Sequence, residues 1–143
     1  TENGVIRYPF EIRGNDFFMG DVRSADITSN CTTGYHELPI AVLIGPVTSS
    51  SGTITAIAFK NRPHTQFIGE ATADGYSTGN DYYVFGENLT MNLATTYFGD
   101  RTGVVYKTVV KPDVVISGKD EFVNLSADRK VNYALMWLKS IQH

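Results

Sequence analysis

The nine residues LPIAVLIGP, Leu38 to Pro46, constrain the fold more than any other stretch of the chain. The run is continuous, apolar, rich in β-branched residues and bounded by prolines. It is too short for a buried helix and far below the roughly 20 residues that span a bilayer. It reads as a strand buried on both faces, and strands of that kind belong to parallel or mixed sheets flanked by helices. The polar turn TSSSG follows at once. Ile54, Ile57 and Ala58 then recur at helical spacing, predicting a short helix from Ser51 to Lys60. Asn61-Arg62-Pro63 stops it, because proline cannot continue the hydrogen-bond ladder. HTQFIGE supplies the next strand, so Pro39–Gly69 reads as a βαβ unit, right-handed by the usual crossover rule.

The flanking segments add strands. Val5–Ile12 and the stretch from Phe17 form a hairpin across the turn residues Arg13–Asp16, and residues 22–38 look irregular. Ala71–Asp81 is a glycine-rich loop. YYVF and LTMNLATTYF pair across Gly86-Glu87-Asn88, GDRTG is a turn, VVYKTVV is a further strand, and KPDVVI is extended ahead of and through its proline. A terminal helix starts at Ser126 as N-cap, with Asp128 in its first turn and an apolar stripe of Val131, Leu135, Leu138 and Ile141. The fold class is therefore α/β, with a mixed sheet and a long β meander, in one domain of 143 residues.

Composition excludes several functions. The net charge is −3 and the basic residues form no run, which argues against nucleic acid as a partner. A single cysteine, Cys31, permits neither an internal disulfide nor a cysteine zinc site. No metal motif and no P-loop appears, so no cofactor is expected. The chain begins at Thr1, as a mature product or an excised piece would.

The triple serine carries the chemistry. A strand that turns sharply into a helix exposes its turn residue beside helix N–H groups that lack intrahelical partners, and that place favours an anion. The pattern suits a nucleophile elbow. TSSSG is not the GxSxG motif, however, and local pattern alone favours the other reading, in which one serine caps the helix while the others solvate the turn. A serine nucleophile needs a base. His64 lies beyond the helix, roughly 15 Å from the serines at about 1.5 Å per residue. His36 precedes the strand, His143 is terminal, and Lys60 ends the helix on the far side. No complete serine constellation is evident. Asp100-Arg101 reads as a turn salt pair, and Glu70 as loop scaffolding.

Taken in order, AVLIGPVTSSSG, GEATADGYSTGN, LTMNLATTYFGDRTG, VVKPDVVI and the helix from Asp128 through Ala134 to Leu138 resemble the C-terminal processing, or tail-specific, serine peptidases. The GYSTGN element is similar to the branch of the tricorn core and the nisin-resistance proteases. The resemblance covers residues 40–141 and, more loosely, the first hairpin. It implies a ClpP/crotonase-like architecture of ββα units, with residues 1–143 as the C-terminal part of one catalytic domain. It places the nucleophile at Ser50 and an oxyanion-hole N–H at Ser51, with Tyr76, Ser77 and Thr78 along a substrate groove. The family's motif glutamate falls on Thr53. The lysine of the Ser–Lys branch falls on Gly75, and for the glutamate that assists the histidine in tricorn-like members the nearest position is Tyr106, so that role has no occupant. The implied base is a histidine upstream of Thr1. The resemblance further implies a polypeptide substrate, dependence on the missing N-terminal half, an extracytoplasmic location and self-association of the isolated piece. A peptide- or hydrophobic-ligand-binding module of the same fold, with catalysis lost, is the alternative.

Overall fold

The computed structural model describes residues 10–13, 16–26 and 37–141. They fall into two compact units, divided between His36 and Glu37. The N-terminal unit is an antiparallel sheet of β1 (Phe10–Arg13), β2 (Asp16–Met19) and β3 (Val22–Asp26), in that spatial order. The expected hairpin is present as β1–β2, with Arg13 opposite Asp16. Its portion Val5–Pro9 lies outside the described residues. β3 replaces irregular structure expected from residue 22. Gly20 turns the chain at φ 64°, and the polar VRSAD then pairs along β2. A strand this polar shows no apolar alternation, and its partner's ladder makes it a strand.

The C-terminal unit is built on a parallel sheet of β4 (Ile40–Ile44), β5 (Thr65–Gly69) and β8 (Val114–Val115), with β5 in the centre. β4 and β5 run in register from Ile40 opposite Thr65 to Ile44 opposite Gly69. Helix α1 (Ser51–Phe59) connects them, so the expected βαβ unit is present. The core joins Ile44 and Phe67 of the sheet to Ala56 and Ile57 of α1 and to Val110. Successive strand residues face opposite ways, so Ile68, fully buried, points to the other face, where α2 (Arg129–Ser140) packs on β4 and β5. Gly69 sits at φ 126°, where a Cβ would collide with the Ile44 carbonyl oxygen; only glycine fits this crossing point.

Three expectations are corrected. Among the described residues β4 is an edge strand rather than one buried throughout: Leu43 is 42% exposed, and a groove of about 440 Å³ opens between β4 and α1, lined by Val42, Thr48, Gly52 and Phe59 among others. VVYKTVV forms no strand beyond a bridge between Gly99 and Val105. Its end is held by one residue instead: Thr72 N donates to the Val110 carbonyl, and Val110 N donates to Thr72 Oγ1. In the C-terminal helix, Asp128 is the N-cap, its carboxylate accepting from the N–H groups of Lys130 and Val131. Ser126 lies in a preceding 3₁₀ turn, Leu125–Ala127. A carboxylate accepts two N–H bonds here where a serine hydroxyl would accept more weakly. The buried positions of α2 are Lys130 and Ala134, whereas Leu135 and Ile141 of the expected stripe are exposed. The remaining element is the hairpin β6 (Thr78–Phe85) and β7 (Leu89–Tyr97), which turns where Gly86-Glu87-Asn88 predicted.

Candidate active site

Ser50 stands at the C-terminal edge of the parallel sheet, where β4 gives way to α1. Gly45-Pro46-Val47-Thr48 forms a tight turn, with Thr48 N donating to the Gly45 carbonyl at 2.8 Å. Thr48 then serves as the hub of the loop. Its hydroxyl accepts from Gly45 N, and its carbonyl accepts from Ala73 N and from the Thr53 hydroxyl. Thr53 is completely buried in doing so. Thr53, where the resemblance implies a glutamate, thus ties the first turn of α1 to the loop. Nothing in the sequence pointed to the bond between Thr48 and Thr53.

The clamp leaves Ser50 in an unusual backbone state, φ 49° and ψ −123°. That lies outside both the right-handed and left-handed helical wells, in territory an L-residue occupies only under constraint. Ser50 is the N-cap by position, yet its side chain makes no capping bond. This decides between the two readings of the triple serine as far as Ser50 is concerned: its exposed hydroxyl is not spent on the helix. The helix N-terminus beside it is electropositive and uncompensated, since the first turn contains no acidic residue. Gly52 N donates to the Ser49 carbonyl and Ile54 N to the Ser50 carbonyl. The Ser51 N–H finds no backbone acceptor outside the helix among the described residues. A strained serine, an adjacent free N–H and an unopposed helix dipole are the parts of a site that attacks a carbonyl and holds the resulting oxyanion.

The glycine-rich loop after β5 docks against the serine loop through the bond from Ala73 N to Thr48 O. Tyr76 is 52% exposed and Thr78 begins β6 half-buried. Ser77 is different. It is fully buried, and its hydroxyl donates to the Tyr106 carbonyl at 2.7 Å. Its side chain therefore anchors the loop from behind and does not face a groove.

No base stands near Ser50 among the described residues. His64 precedes β5 at the N-terminal edge of the sheet, where its carbonyl accepts from Ile40 N, while Ser50 follows β4 at the opposite edge. Lys60 sits at the His64 end, over the Phe67 ring and bonded to the Lys111 carbonyl. His36 and His143 lie outside the described residues, as does Cys31. Lys130 is buried at the serine end, but it is held by Asp120 at 2.6 Å and Glu70 at 3.6 Å. Burial alone would push its ammonium toward the neutral form; the Asp120 hydrogen bond and the charges of Asp120, Glu70 and Asp128 outweigh this and raise its pKa. A lysine so held keeps its proton and takes none from a serine. The described residues contain no cluster of three or more His, Cys, Asp or Glu placed for a metal.

Asp100 and Arg101 form no salt pair with one another. The Asp100 carboxylate accepts from Thr102 N and Oγ1, Val104 N, Asn61 Nδ2 and the Tyr106 hydroxyl. Burial disfavours its charge, and these donors, Thr102 and Tyr106 foremost, more than restore it, so its pKa is lowered. Arg101 instead donates to the Ala58 carbonyl in the last turn of α1. The pair of residues therefore fixes the far end of the helix whose near end carries Ser50. Tyr106, the position nearest to the assisting glutamate that the resemblance implies, donates its hydroxyl to Asp100 in this clamp.

The family model described as "Peptidase family S41" matches residues 15–116. The chain is 31% identical over 133 residues to the nisin-resistance protein of Lactococcus lactis subsp. lactis, an alignment covering 92% of this chain and 37% of that protein. Its fold is similar to that of a lipoprotein from Streptococcus agalactiae, with a TM-score of 0.56 and 32% identity over 71% of this chain and 32% of that one. The chain thus spans about a third of the length of each relative.

Proposed function

The chain belongs to peptidase family S41, and on that premise we propose that it carries the nucleophile half of a serine endopeptidase site. The observation that carries this reading is the backbone of Ser50, strained, uncapped and set at an unopposed helix N-terminus. In the proposed reaction Ser50 Oγ attacks a peptide carbonyl and a base removes the hydroxyl proton. The oxyanion forms against the Ser51 N–H, the tetrahedral intermediate collapses to release the amine, and water resolves the acyl-enzyme. The base is a histidine from the part of the relatives that this chain does not span. Residues 1–143 then form the C-terminal part of one catalytic domain of ClpP/crotonase-like architecture and hydrolyse no peptide by themselves.

The substrate is a polypeptide, bound by its C-terminal region as in tail-specific enzymes, with Tyr76 and Thr78 on the groove wall. Ser77 supports that wall from inside. The relatives' names, a resistance protein against nisin and a lipoprotein, favour an extracytoplasmic site of action. Exposed apolar side chains such as Leu43, Val47 and Phe122 favour self-association of residues 1–143 in isolation. The experiment is fluorophosphonate labelling of a longer polypeptide that includes the upstream histidine, beside its Ser50→Ala variant. Labelling of the parent alone supports Ser50 as nucleophile. Equal labelling of both removes it, and labelling of neither favours the non-catalytic binding module.

A further inference from the structure

Lys130 occupies a place that its chemistry opposes twice. It lies in the first turn of α2, where the helix dipole disfavours a cation, and its side chain is only 5% exposed. Lysines are almost never buried to this degree unless paired. An apolar side chain would fill the same space without desolvating a charge, so packing alone does not account for the residue. Its contacts do. The Lys130 ammonium lies against Gly45, within 3.4 Å of where a Cβ would stand, and its stem lies equally close to Gly69. Asp120 holds the ammonium at 2.6 Å and Glu70 pairs with it at 3.6 Å. Gly45 opens the loop that carries Ser50, and Glu70 opens the loop that carries Tyr76. Glu70 N also donates to the Ile44 carbonyl, so the two strand ends are already joined where the lysine packs.

The geometry points to Lys130 as a positioning residue for the Ser50 elbow: its buried ammonium pins the ends of β4 and β5 together, so that the loops after them meet at the Thr48–Ala73 bond and hold Ser50 in its strained state. The assignment rests on the proposed role of Ser50, but its first test does not. Amide hydrogen exchange is measured by NMR on the chain itself, for wild type, Lys130→Met and Lys130→Arg. In the Met variant the Glu70 and Ala73 amides are expected to exchange at least tenfold faster, while the Ala56 and Ile57 amides in the middle of α1 keep their rates. The Arg variant, which retains the charge, restores most of the protection. Unchanged rates at Glu70 and Ala73, or a uniform acceleration over all amides, overturn the assignment.

Should Lys130→Met fail to fold, Asp120→Asn serves instead, because Glu70 still pairs the lysine. The same local pattern at smaller amplitude is expected, and no local effect overturns the assignment. In the longer polypeptide, Lys130→Met is then expected to slow fluorophosphonate labelling of Ser50 about tenfold without shifting its pH profile, and Lys130→Arg to recover it. A shifted pH profile would make Lys130 a proton carrier and overturn a purely positioning role. If exchange responds as expected and Ser50 is never labelled, the pin stands and the nucleophile reading fails.

Discussion

Replacing Ser50 by glycine is expected to make the protein more stable, which is unusual for a substitution at the N-terminus of a helix. At φ 49° and ψ −123° the serine occupies a backbone state whose strain is of order 1–3 kcal/mol for an L-residue. Glycine adopts that state freely but gains freedom in the unfolded chain, a loss of about 0.5–1 kcal/mol. No cap bond is forfeited, since the Ser50 side chain makes none. The difference is a net stabilisation of about 1 kcal/mol, or roughly 3 °C in melting temperature for a chain of this size. Ser50→Ala keeps the Cβ and hence the strain, so it should leave the melting temperature within about a degree of wild type. Ser51→Gly, in the first turn of α1 at ordinary helical geometry, should destabilise by about 0.5–1 kcal/mol. Urea denaturation and thermal unfolding of the three variants supply the comparison. If Ser50→Gly is destabilising to the same degree as Ser51→Gly, the serine is not strained and the elbow reading loses its main support.

Further outcomes follow from other contacts. Gly69→Ala brings a Cβ into the Ile44 carbonyl at a positive φ, and a loss of about 3 kcal/mol or more is expected in urea denaturation; a loss under 1 kcal/mol would contradict the close approach. Tyr106→Phe removes the phenol that donates to Asp100 at 2.9 Å, and about 1.5–2 kcal/mol should be lost at neutral pH. Because the folded Asp100 pKa is lowered, its contribution is present above the unfolded carboxylate value near 4 and fades as pH falls through the folded value. The wild type to Tyr106→Phe gap should therefore narrow in denaturation curves taken well below pH 4. Ser77→Ala leaves the Tyr106 carbonyl without its 2.7 Å donor and should lower stability by about 1–2 kcal/mol. In the longer polypeptide its KM for peptide should stay at the wild-type value, whereas Tyr76→Ala should raise it.

The βαβ core was legible because its signals are local. A continuous apolar strand, a short helical period and a proline stop each follow from one stretch of chain, and the β6–β7 turn follows from Gly86-Glu87-Asn88. β3 and the 104–110 segment were misread for the opposite reason. A polar strand exists because β2 offers a ladder, and an apolar β-branched stretch stays irregular because Thr72, rather than a neighbouring strand, satisfies Val110. Asp100 and Arg101 looked like partners because they are adjacent, yet each reaches across about forty residues, to Asn61 and to Ala58.

The serine loop divides in the same way. Residue order alone set a serine between a buried strand and a helix and, through the ordered resemblance, singled out Ser50. It could not say whether that serine caps the helix, since capping depends on backbone angles that neighbouring residues leave open. The tertiary structure decided it. Thr48, clamped by Gly45, Thr53 and Ala73, holds Ser50 away from the capping geometry. Ser77, which the resemblance implied on a groove, is buried and donates its hydroxyl to the Tyr106 carbonyl twenty-nine residues away. Local sequence fixes which conformations are inexpensive; only packing and the pairing of buried polar groups can hold a residue in one that is not.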